Sequence, residues 1–545
     1  MKRVISIICI LCMVLALTAC GSPSSTTPAT DSGKATAAPS NQGSGSSSQG
    51  NAAPAEETVG GGGDLVIGTS TYAGDFSAWG ISSQTSHVQS SPVYESLTLL
   101  DEDGNWYPYL LESLTPDPEK LTWTLVARDG VCFSDGTPLD ADAIMWNFEN
   151  YAENSRMASL HFRYLDHFEK VDDKTVVMHL TEWSSQVPFS FLDSVGLMYS
   201  PKAFADNGMD WCLVNPVGTG AYVQTDCVAG EYRKFEINQN YWNKDATPKY
   251  DTITFKVIAN ESTAQAALLS GEIDGYILPS FAMIDSMVST NDFYFAQNHT
   301  TYTSEFFYPP SANEPWNDIN VRKAVYYAID SQAIVDAVTY GYASVATQYA
   351  PPGSKFEDPS ITGYGYDLNK AKEYLAKSNY PDGFTSKLYV QTSNEEVYRQ
   401  LSVIIQSQLK QIGINLEIEM VEAGVWIQAA FSPDGVPIWA HSYGYNLALQ
   451  QMQNFGTHGS GMGGPVKTLP EEIVEASKKA IAAPTEEEMI QHVKEANKIM
   501  TEDATAYLIY TSFAYGGIWN NKVADSGCLD NYNLVFDFTK VAPKK

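Results

Sequence analysis

The sequence predicts an α/β fold, and two features of its folded region support this class. Segments with the two-residue period of strands alternate with segments that have the 3.6-residue period of helices. A glycine separates the two kinds of segment at several points, most clearly at Gly413. Helices and strands that follow one another in this way are typical of α/β units.

The first elements of the folded region carry clear local signals. The stretch "LVIGTS" begins at Leu65 and predicts a short buried strand. Further along, Asp140 is the expected N-cap of a helix, because its side chain can accept a hydrogen bond from an amide of the first turn. Ile144 and Phe148 lie four residues apart in that helix, so we expect them to share its buried face.

Two later stretches predict helices with defined ends. In "NESTAQAALLSGEIDGYIL" we expect Asn260 to cap a helix and Gly271 to end it, with a strand beyond. In "VRKAVYYAIDSQAIVDAV" the apolar residues share one helical face, and a second helix should begin at Asp330 or Ser331.

The clearest helix precedes Gly413. Ser393 and Glu396 form a capping-box pattern that predicts its start. One apolar face then comprises Val397, Leu401, Ile404, Ile405, Leu409 and Ile412. Directly after Gly413, apolar and polar residues alternate from Ile414 to Met420, which predicts a strand.

The stretch "NPVGTGAY", residues 215–222, raises the question of nucleotide binding, because Gly218 and Gly220 are spaced as in a phosphate-binding loop. A dinucleotide fingerprint needs a third glycine where this chain has Val223, and no lysine follows as a Walker loop requires. We therefore interpret the stretch as a turn whose glycines adopt positive φ angles. Two strands around Ala229 and Gly230 should follow as a hairpin.

Catalytic and metal-binding patterns do not fit this sequence. "HGSGMGG", residues 458–464, has glycines immediately beside Ser460 rather than in the GxSxG register, so we interpret it as a loop. HExxH does not occur, and histidines such as His441 and His458 lack the spacing of metal ligands. We therefore expect no catalytic residue, no metal and no cofactor, and predict that the protein is not an enzyme.

The first 20 residues are typical of a lipoprotein leader. A positive start at Lys2 and Arg3 precedes an uncharged run, Val4 to Leu17, that is too short to be a comfortable membrane span. "LTAC" resembles the bacterial lipobox, so residues 1–19 should be a signal peptide and Cys20 should carry the lipid. Residues 20–63 would then comprise this cysteine and a flexible tether rich in Ser, Thr, Gly, Pro and Ala.

Charge and cysteine content limit the function and the compartment. The net charge of −31 disfavours binding to nucleic acid and to anionic lipid, so we expect no nucleic-acid partner. Four cysteines remain beyond the leader and Cys20, namely Cys132, Cys212, Cys227 and Cys528. In an extracytoplasmic setting they could pair, with Cys212 and Cys227 nearest in sequence, or they could stay as free buried thiols.

Aromatic residues are unusually frequent in two stretches. These are "TYAGDFSAW", with Tyr72, Phe76 and Trp79, and "VEAGVWIQAAFSPDGVPIWAHSYGYN", with Trp426, Trp439, Tyr443, Tyr445 and Asn446. Flat rings with polar tips suit a concave site that stacks on a solute and hydrogen-bonds it. Our candidate ligand contacts are Tyr72, Trp426, Tyr443, Tyr445 and Asn446, and core packing is the alternative for any single ring.

Several stretches resemble one family across nearly all of residues 64–540. They include "VYESLTLLDEDGNWYPYLLESL", "PVGTGAYV", "NQNYW", "SGEID" and "NDINVRKAVYYAIDSQAIV", in the family's order. The chain resembles the extracytoplasmic solute-binding proteins of ABC importers, family 5, which serve oligopeptides, dipeptides and nickel chelates. The resemblance implies the two-lobed periplasmic-binding-protein-like α/β fold of type II, cluster C, with an extra subdomain in the first lobe.

The resemblance also implies a domain division and a mechanism. Lobe I would comprise residues 64–90, 205–305 and 506–545, the extra subdomain residues 91–204, and lobe II residues 306–505. A solute would bind between the lobes and bias their closure by contacting both. The partners would be an ABC permease with its ATPase subunits and the membrane through the lipid anchor. The protein would be a monomer, and the long tether implies a Gram-positive surface.

The resemblance leaves the ligand open. Peptide binders of the family hold the peptide's amine with an aspartate, whose position here falls at Ala448, and no acidic residue occurs between His441 and Gly464. A buried ammonium without a carboxylate would be costly. Capture of a free amine must therefore use another residue or not occur. A peptide is the leading ligand, an oligosaccharide or another organic solute is the alternative, and a surface receptor that senses a signal peptide without transport is a third possibility.

Overall fold

The computed structural model describes residues 60–299, 302–308, 314–392, 395–431, 437–444, 471–504 and 507–544. The predicted signal peptide, Cys20 and the tether up to residue 59 lie outside these residues. Ser393, Tyr445, Asn446 and the "HGSGMGG" stretch also lie outside them. What the sequence predicts for these positions therefore stays a prediction.

The strands of the described residues are named in chain order. They are β1 (Asp64–Thr69), β2 (Thr98–Leu100), β3 (Trp106–Pro108), β4 (Leu111–Asp117), β5 (Thr122–Ala127), β6 (Leu165–Lys170), β7 (Thr175–Leu180), β8 (Tyr222–Val228), β9 (Tyr232–Ile237), β10 (Thr252–Val257), β11 (Gly275–Ile277), β12 (Phe293–Gln297), β13 (Tyr302–Tyr308), β14 (Ser344–Val345), β15 (Phe384–Gln391), β16 (Ile414–Val421), β17 (Ile438–Gly444), β18 (Tyr507–Phe513), β19 (Gly516–Asn520), β20 (Val523–Asp525) and β21 (Val541–Pro543).

The helices are named in the same way. They are α1 (Gln84–Ser90), α2 (Ala141–Asn154), α3 (Ala158–His161), α4 (Val187–Ser190), α5 (Pro201–Asn207), α6 (Met209–Cys212), α7 (Glu261–Ser270), α8 (Phe281–Val288), α9 (Ile319–Ala328), α10 (Ser331–Val338), α11 (Leu368–Lys377), α12 (Glu395–Lys410), α13 (Ala423–Phe431), α14 (Glu471–Ala482) and α15 (Glu486–Asp503). None of these helices combines the length and the hydropathy needed to cross a bilayer.

Three larger sheets organise these elements and confirm the predicted α/β class. The seven-stranded sheet has the order β12-β19-β11-β1-β10-β9-β8, and the six-stranded sheet has the order β14-β18-β13-β17-β15-β16. The four-stranded sheet has the order β4-β5-β7-β6, and β2–β3 and β20–β21 form two-stranded ribbons. The first two sheets contain parallel pairs, whereas the four-stranded sheet is antiparallel throughout.

The seven-stranded sheet confirms the local predictions for its strands and for α7. Leu65 and Ile67 of β1 have no exposed surface. The Asn260 side chain accepts a hydrogen bond from the Thr263 amide at 3.0 Å, and Gly271 ends α7 in the left-handed conformation at φ 74°. The sequence therefore correctly predicts both ends of α7, where backbone groups lack partners within the helix.

The "NPVGTGAY" stretch does precede a hairpin, but its glycines act differently from the prediction. β8 and β9 pair in antiparallel register, and Gly230 turns between them at φ 79°. Gly218 and Gly220, by contrast, are not among the glycines with positive φ. A Cβ atom on Gly218 would lie 2.3 Å from the Val93 carbonyl oxygen, and one on Gly220 would lie 2.6 Å from the Pro92 carbonyl oxygen. Close backbone approach, rather than φ, is what requires glycine at both positions.

The four-stranded sheet packs against α2, whose predicted cap and buried face are confirmed. The Asp140 carboxylate accepts a hydrogen bond from the Ala143 amide at 2.9 Å. Ile144 and Phe148 have no exposed surface and belong to the hydrophobic core around this sheet.

The six-stranded sheet is covered by helices that begin and end largely where the sequence predicts. Asp330 accepts a hydrogen bond from the Ala333 amide at 3.0 Å. It therefore caps α10 where the sequence predicts the second helix to begin. Gly413 has φ 87° and links α12 to β16. Val397 does not lie on the buried face of α12, because the neighbouring Tyr398 occupies that face, and it is 38% exposed.

Strand β16 also departs from its prediction at one end. Ile414 and Leu416 are buried, as their alternation predicts, but Met420 is 39% exposed. β16 is the last strand of its sheet, so its far end has a neighbouring strand on only one side.

A loop beside the four-stranded sheet caps the C-terminal end of α14. The Trp183 indole nitrogen donates to the Ala483 carbonyl oxygen at 2.9 Å, and the Ser185 amide donates to the Ile481 carbonyl oxygen at 2.9 Å. Trp183 stacks on Trp123, with ring centres 5.3 Å apart. This stack holds the loop in position, so carbonyl groups at the end of α14 gain donors from a distant part of the chain.

The four cysteines beyond Cys20 are free thiols. Cys212 and Cys528 are buried, whereas Cys132 and Cys227 are half-buried. The suggested pairing of Cys212 with Cys227 is therefore not formed.

Candidate functional site

The carboxyl ends of parallel strands define one edge of the seven-stranded sheet. β1 pairs in parallel with β10 and β11. β12 runs the same way as β11, because both are antiparallel to β19. Their ends at Thr69, Val257, Ile277 and Gln297 therefore share one edge, which we call the first edge. In open α/β sheets, ligands bind outside the carboxyl ends of the strands.

The six-stranded sheet has a corresponding second edge. β15 is parallel to both β16 and β17, so the ends of these strands at Gln391, Val421 and Gly444 point the same way. Tyr389 of β15 pairs with Ile438, the first residue of β17. Only two residues of β15 follow Tyr389, so β17 extends beyond the end of β15.

The first and second edges meet where the chain passes between the two sheets. Gln297, at the end of β12, pairs with Gly516 of β19. In the other sheet Tyr302, at the start of β13, pairs with both Gly444 and Phe513. The chain thus passes from one edge to the other between Gln297 and Tyr302 and again between Phe513 and Gly516. A solute between the edges could contact both sheets.

Aromatic rings from both sheets pack beside these connections. The Phe513 ring lies 4.7 Å from the Phe295 ring and 5.8 Å from the Phe281 ring, measured between ring centres. Phe281 also contacts Tyr510 at 6.3 Å. These contacts join β18 to β12 and α8 and provide an apolar base for the region between the edges.

Tyr72 lies in the loop that follows β1 at the first edge. The guanidinium carbon of Arg233 lies 4.6 Å from the centre of the Tyr72 ring and 3.6 Å from that of Phe76. Arg233 also donates to the Ala73 carbonyl oxygen at 3.0 Å. Burial raises the pKa of the Tyr72 hydroxyl and lowers the pKa of Arg233. The loop is therefore held against the sheet by a buried cation that stacks on two of its rings.

The remaining candidate residues belong to the second edge. Trp426 lies in the first turn of α13, directly beyond β16, and packs half-buried against the hydrophobic core around α14 and α15. Tyr443 is on β17, where it pairs with Thr303 of β13. Tyr445 and Asn446 follow β17 immediately but lie outside the described residues. The structure thus brings Trp426 and Tyr443 to one sheet edge and places Tyr72 at the other.

Three aromatic residues of the same stretches serve the core instead. Phe76 has no exposed surface, Trp79 is 5% exposed and Trp439 is 1% exposed. Trp439 stacks on Tyr398, with ring centres 6.0 Å apart, and its indole donates to the Ser402 hydroxyl at 2.6 Å. Core packing, the alternative that we kept for single rings, applies to these three.

Glu305 is a buried acid at the second edge that the sequence analysis missed. It lies on β13 and is only 8% exposed. The Tyr398 hydroxyl donates to its carboxyl group, whereas the carboxyl oxygen Oε2 has no hydrogen-bond partner in the described part of the chain. Burial raises the pKa of Glu305 to about 8.

Arg233 and Glu305, neither of which the sequence analysis singled out, both carried a signal in the sequence. Arg233 shares the inward face of β9 with Phe235, which is fully buried, so a charge occupies an otherwise apolar face. Glu305 likewise interrupts the aromatic strand "YTSEFFY". A charged residue at an apolar position of a strand indicates a buried charge that needs a partner.

The described residues contain no group of three or more His, Cys, Asp or Glu placed to hold a metal ion. Buried histidine does occur, but its contacts are structural. His87 of α1 lies 3.0 Å from Asp193, and the hydrogen bond and charge of this carboxylate raise the His87 pKa against the opposing effect of burial. The His87 ring also contacts the Ser83 carbonyl oxygen in its own helix, so both ring nitrogens are engaged.

Comparison with known proteins gives one family. The model of "Bacterial extracellular solute-binding proteins, family 5 Middle" matches residues 105–461. The glutathione-binding protein GsiB of Salmonella paratyphi A is 27% identical over 363 residues, which are 66% of this chain and 70% of that protein. GsiB of Escherichia coli O157:H7 is 25% identical over 363 residues, with the same coverage of 66% and 70%.

Solved structures share the fold. CtaP, an ABC transporter substrate-binding protein of Listeria monocytogenes, has a TM-score of 0.76 at 19% identity, over 90% of this chain and 100% of that chain. DppA of Helicobacter pylori, in complex with the peptide STSA, has a TM-score of 0.73 at 20% identity, over 89% of this chain and 98% of that chain. AppA of Bacillus subtilis, in complex with a nonapeptide, has a TM-score of 0.71 at 21% identity, over 90% and 100%.

Proposed function

This chain belongs to the bacterial extracellular solute-binding proteins of family 5, and on that premise we propose that it is the membrane-anchored binding component of an ABC importer. It would capture a peptide or a similar small organic solute and deliver it to a permease with its ATPase subunits. The observation that carries the proposal is that the first edge, at Gln297 and Gly516, is followed within a few residues of chain by the second edge, at Tyr302 and Phe513, because a solute placed between them would touch both sheets. The protein's own contribution would be binding and closure, with no bond made or broken.

We propose that the two lobes and the extra subdomain are each built on one of the three larger sheets. Lobe I would be built on the seven-stranded sheet, the extra subdomain on the four-stranded sheet, and lobe II on the six-stranded sheet. Because β18 belongs to the six-stranded sheet, the second passage between the lobes would lie at residues 514–515, slightly beyond the boundary at residue 506 that the resemblance implies. Two crossing segments of this kind can act as a hinge, and the solute would bias closure by contacting both lobes.

We propose Tyr72, Trp426, Tyr443, Tyr445 and Asn446 as solute contacts. Support comes from the position of Tyr72 at the first edge and of Trp426 and Tyr443 at the second. A peptide is the leading solute, since relatives include GsiB, named for glutathione, and solved neighbours hold peptides. The aromatic content favours an oligosaccharide as the second candidate, because rings stack well on sugar faces.

We propose an extracytoplasmic location on the cell membrane, with Cys20 as the lipid-bearing residue and a Gram-positive surface as the setting. The lipobox-like "LTAC" and the long polar tether support this proposal. Stable attachment needs more than one acyl chain, which a lipidated N-terminal cysteine could supply. We propose a monomer as the working form.

Native mass spectrometry of the purified full chain tests the proposed function. It should show a bound organic solute, and fragmentation of that solute distinguishes a peptide from an oligosaccharide. Trp426→Ala should lower its occupancy about tenfold or more. The matched control is Trp211→Ala, since Trp211 is 37% exposed and belongs to α6 rather than to a strand of either edge. Equal occupancy in the two variants would contradict the placement of the site, and a chain that binds no solute would contradict the function.

A further inference from the structure

The region of the four-stranded sheet is joined to the seven-stranded sheet by both chain and packing. β1 precedes this region in the chain and β8 follows it, and both strands belong to the seven-stranded sheet. The side chains of Trp106 and Trp242 pack against the hydrophobic cores of both regions. The Ser134 amide also donates to the Gly218 carbonyl oxygen at 2.8 Å. The two regions therefore share packing as well as chain connections.

The same region also contacts α14 and α15, which belong to a different part of the molecule. The core around these helices includes Leu508 of β18, in the six-stranded sheet. The Ser185 amide and hydroxyl donate to the Ile481 carbonyl oxygen at 2.9 Å and 3.1 Å, beside the bond from Trp183 to Ala483. After the four-stranded sheet the chain returns to the seven-stranded sheet at β8, so the loop and α14 are neighbours in space but not in sequence.

The donors of this contact are held in place by their own region. Trp183 stacks on Trp123, and the Trp123 indole donates to the Ser184 carbonyl oxygen at 3.1 Å. Both interactions lie within the region of the four-stranded sheet. The loop can therefore present its donors to α14 without being shaped by α14.

A lysine makes a second contact across the same boundary. Lys355, which follows β14, pairs with Glu486 in the first turn of α15. Its ammonium nitrogen also donates to the Asn105 Oδ1 atom, between β2 and β3, at 3.4 Å. The same nitrogen lies 5.9 Å from the centre of the Phe189 ring in α4. Two separate polar contacts thus join the region of the four-stranded sheet to the helices beside the six-stranded sheet.

The chemistry of the contact allows it to separate. The acceptors are carbonyl groups at the end of α14, where a helix has no amide of its own to satisfy them. Water can bond these carbonyl groups when the loop moves away, so separation leaves no buried polar group without a partner. Contacts between regions of one chain commonly resemble transient interfaces, and relative motion is expected across them.

We propose that Trp183, Ser185 and Lys355 form a latch that joins the extra subdomain to lobe II when the lobes close and separates when they open. The latch raises the affinity for solute through residues of neither edge, because it stabilises the state in which both edges contact the solute. This inference rests on the proposed function, since a latch requires two lobes that move. It gives the extra subdomain a role in closure.

Hydrogen exchange of the full chain, purified in detergent and dialysed to remove solute, tests the latch at the Ser185 amide. The Ile481 carbonyl oxygen of α14 protects this amide, so it should exchange whenever the lobes separate. We expect it to exchange at least about a hundredfold faster than the slowest amides of β5 and β7, whose exchange requires unfolding of their sheet. Exchange as slow as in β5 and β7 would indicate permanent packing and would overturn the latch.

Two variants distinguish separation of the lobes from fraying of the loop alone. Trp183→Phe removes a donor to α14, and Lys355→Met removes the ammonium that bonds Asn105 and Glu486 rather than the loop. Each variant should accelerate exchange of the Ser185 amide about fivefold, because each weakens the closed state by one polar contact. Acceleration by Trp183→Phe alone would indicate fraying and would overturn the latch, as would acceleration by neither variant.

The matched controls remove the same groups where they bond within one region. Trp242→Phe removes an indole that donates to Glu95 at 2.7 Å, away from α14 and α15. Lys478→Met removes an ammonium that pairs with Glu475 inside α14. Both controls should leave the exchange rate of the Ser185 amide unchanged. Equal acceleration by the controls would contradict the latch.

A synthetic pool of tripeptides to hexapeptides tests the link to solute binding. Peptides that the chain retains are identified by mass spectrometry and added back at saturation, which should slow exchange of the Ser185 amide at least about tenfold. Retention without slower exchange would overturn the latch and leave peptide capture standing. If no peptide is retained, peptide capture is contradicted, and the exchange rates of the latch variants and their controls decide the latch by themselves.

Discussion

Glu305 and Arg233 are charged residues on strand faces that are otherwise apolar, and the chain treats them differently. Arg233 donates to the Gln224 side chain of β8 at 2.6 Å and stacks on the rings of Tyr72 and Phe76 in the loop after β1, so its charge has neighbours in both the sheet and the loop. The Tyr398 hydroxyl donates to Glu305, whose Oε2 atom has no hydrogen-bond partner among the described residues. The first arrangement holds a loop against the sheet, whereas burial of the second group costs stability.

The first prediction concerns this cost. The folded-state pKa of Glu305, about 8, lies above its ordinary value of 4.5. The stability that the folded state gains from holding Glu305 protonated is therefore fully present below about pH 4.5 and is lost as the pH rises through about 8. Without solute, Glu305→Gln should be more stable than the wild-type chain by about 1–3 kcal/mol at pH 8.5 and nearly equal to it at pH 5. Urea unfolding at both pH values measures this, and an equal difference at the two values would contradict it.

The second prediction concerns Gly218. A side chain there would force Val93 and Tyr94 away, because a Cβ atom would lie 2.3 Å from the Val93 carbonyl oxygen and 2.7 Å from the Tyr94 ring. Gly218→Ala should lower the free energy of unfolding by about 1–3 kcal/mol. Gly74→Ala is the matched control, since nothing lies within 4 Å of a Cβ atom at Gly74. Thermal unfolding of the two variants compares them, and equal melting temperatures would refute the packing role.

Single residues could be predicted where a local rule applies. Asp140 and Asn260 were correctly assigned as caps, and the start of α10 was correctly located at Asp330 or Ser331, because capping depends on a few neighbouring backbone groups. The reason for Gly218 could not be predicted, since the Val93 carbonyl that crowds it is more than a hundred residues away in sequence. The burial of Trp79 and Trp439 could not be predicted either, because the sequence does not show which face of a segment meets the core.

At the scale of elements, the cap on α14 links parts of the chain that are about 300 residues apart. Trp183 reaches the Ala483 carbonyl oxygen, and Ser185 reaches that of Ile481. No sequence pattern indicates such a cap, because its donors come from a loop beside the four-stranded sheet. The helix α14 itself could be predicted only from the period of its apolar residues.

The third prediction tests this cap. Trp183→Phe keeps an aromatic ring to stack on Trp123 but removes the indole donor to the Ala483 carbonyl oxygen. The free energy of unfolding should fall by about 1 kcal/mol. Trp211→Phe, at a position that is 37% exposed, should leave it unchanged. Chemical unfolding monitored by circular dichroism measures both, and an unaffected Trp183→Phe would show that the hydrogen bond contributes nothing.

At the scale of the whole molecule, the α/β class followed from the sequence, whereas the division into three larger sheets did not. Alternating periods predict α/β units because burial of one face imposes them. Aromatic frequency singled out Trp426 and Tyr443, which lie at the second edge, and their role as solute contacts stays a prediction. The meeting of the edges could not be predicted, since it depends on the antiparallel pairing of β12 with β19 and of β13 with β18, which are far apart in sequence.

The fourth prediction concerns attachment to the membrane. If Cys20 bears the lipid, Cys20→Ser should move most of the chain from the membrane fraction to the soluble fraction, because the acyl chains hold it at the bilayer. Cys227→Ser, which alters a half-buried thiol of the folded region, should leave the chain in the membrane fraction. Fractionation followed by immunoblotting measures the distribution. A Cys20→Ser chain that stays with the membrane would contradict the anchor.

The most direct test of the central claim, that a solute binds between two sheets and closes them, is small-angle X-ray scattering during titration with the solute identified by mass spectrometry. The radius of gyration of the wild-type chain should fall as the solute saturates the site, because the ligand favours the state in which both edges contact it. Trp426→Ala should require about tenfold more solute for the same decrease. Saturable binding by the wild-type chain with an unchanged radius of gyration would contradict the account.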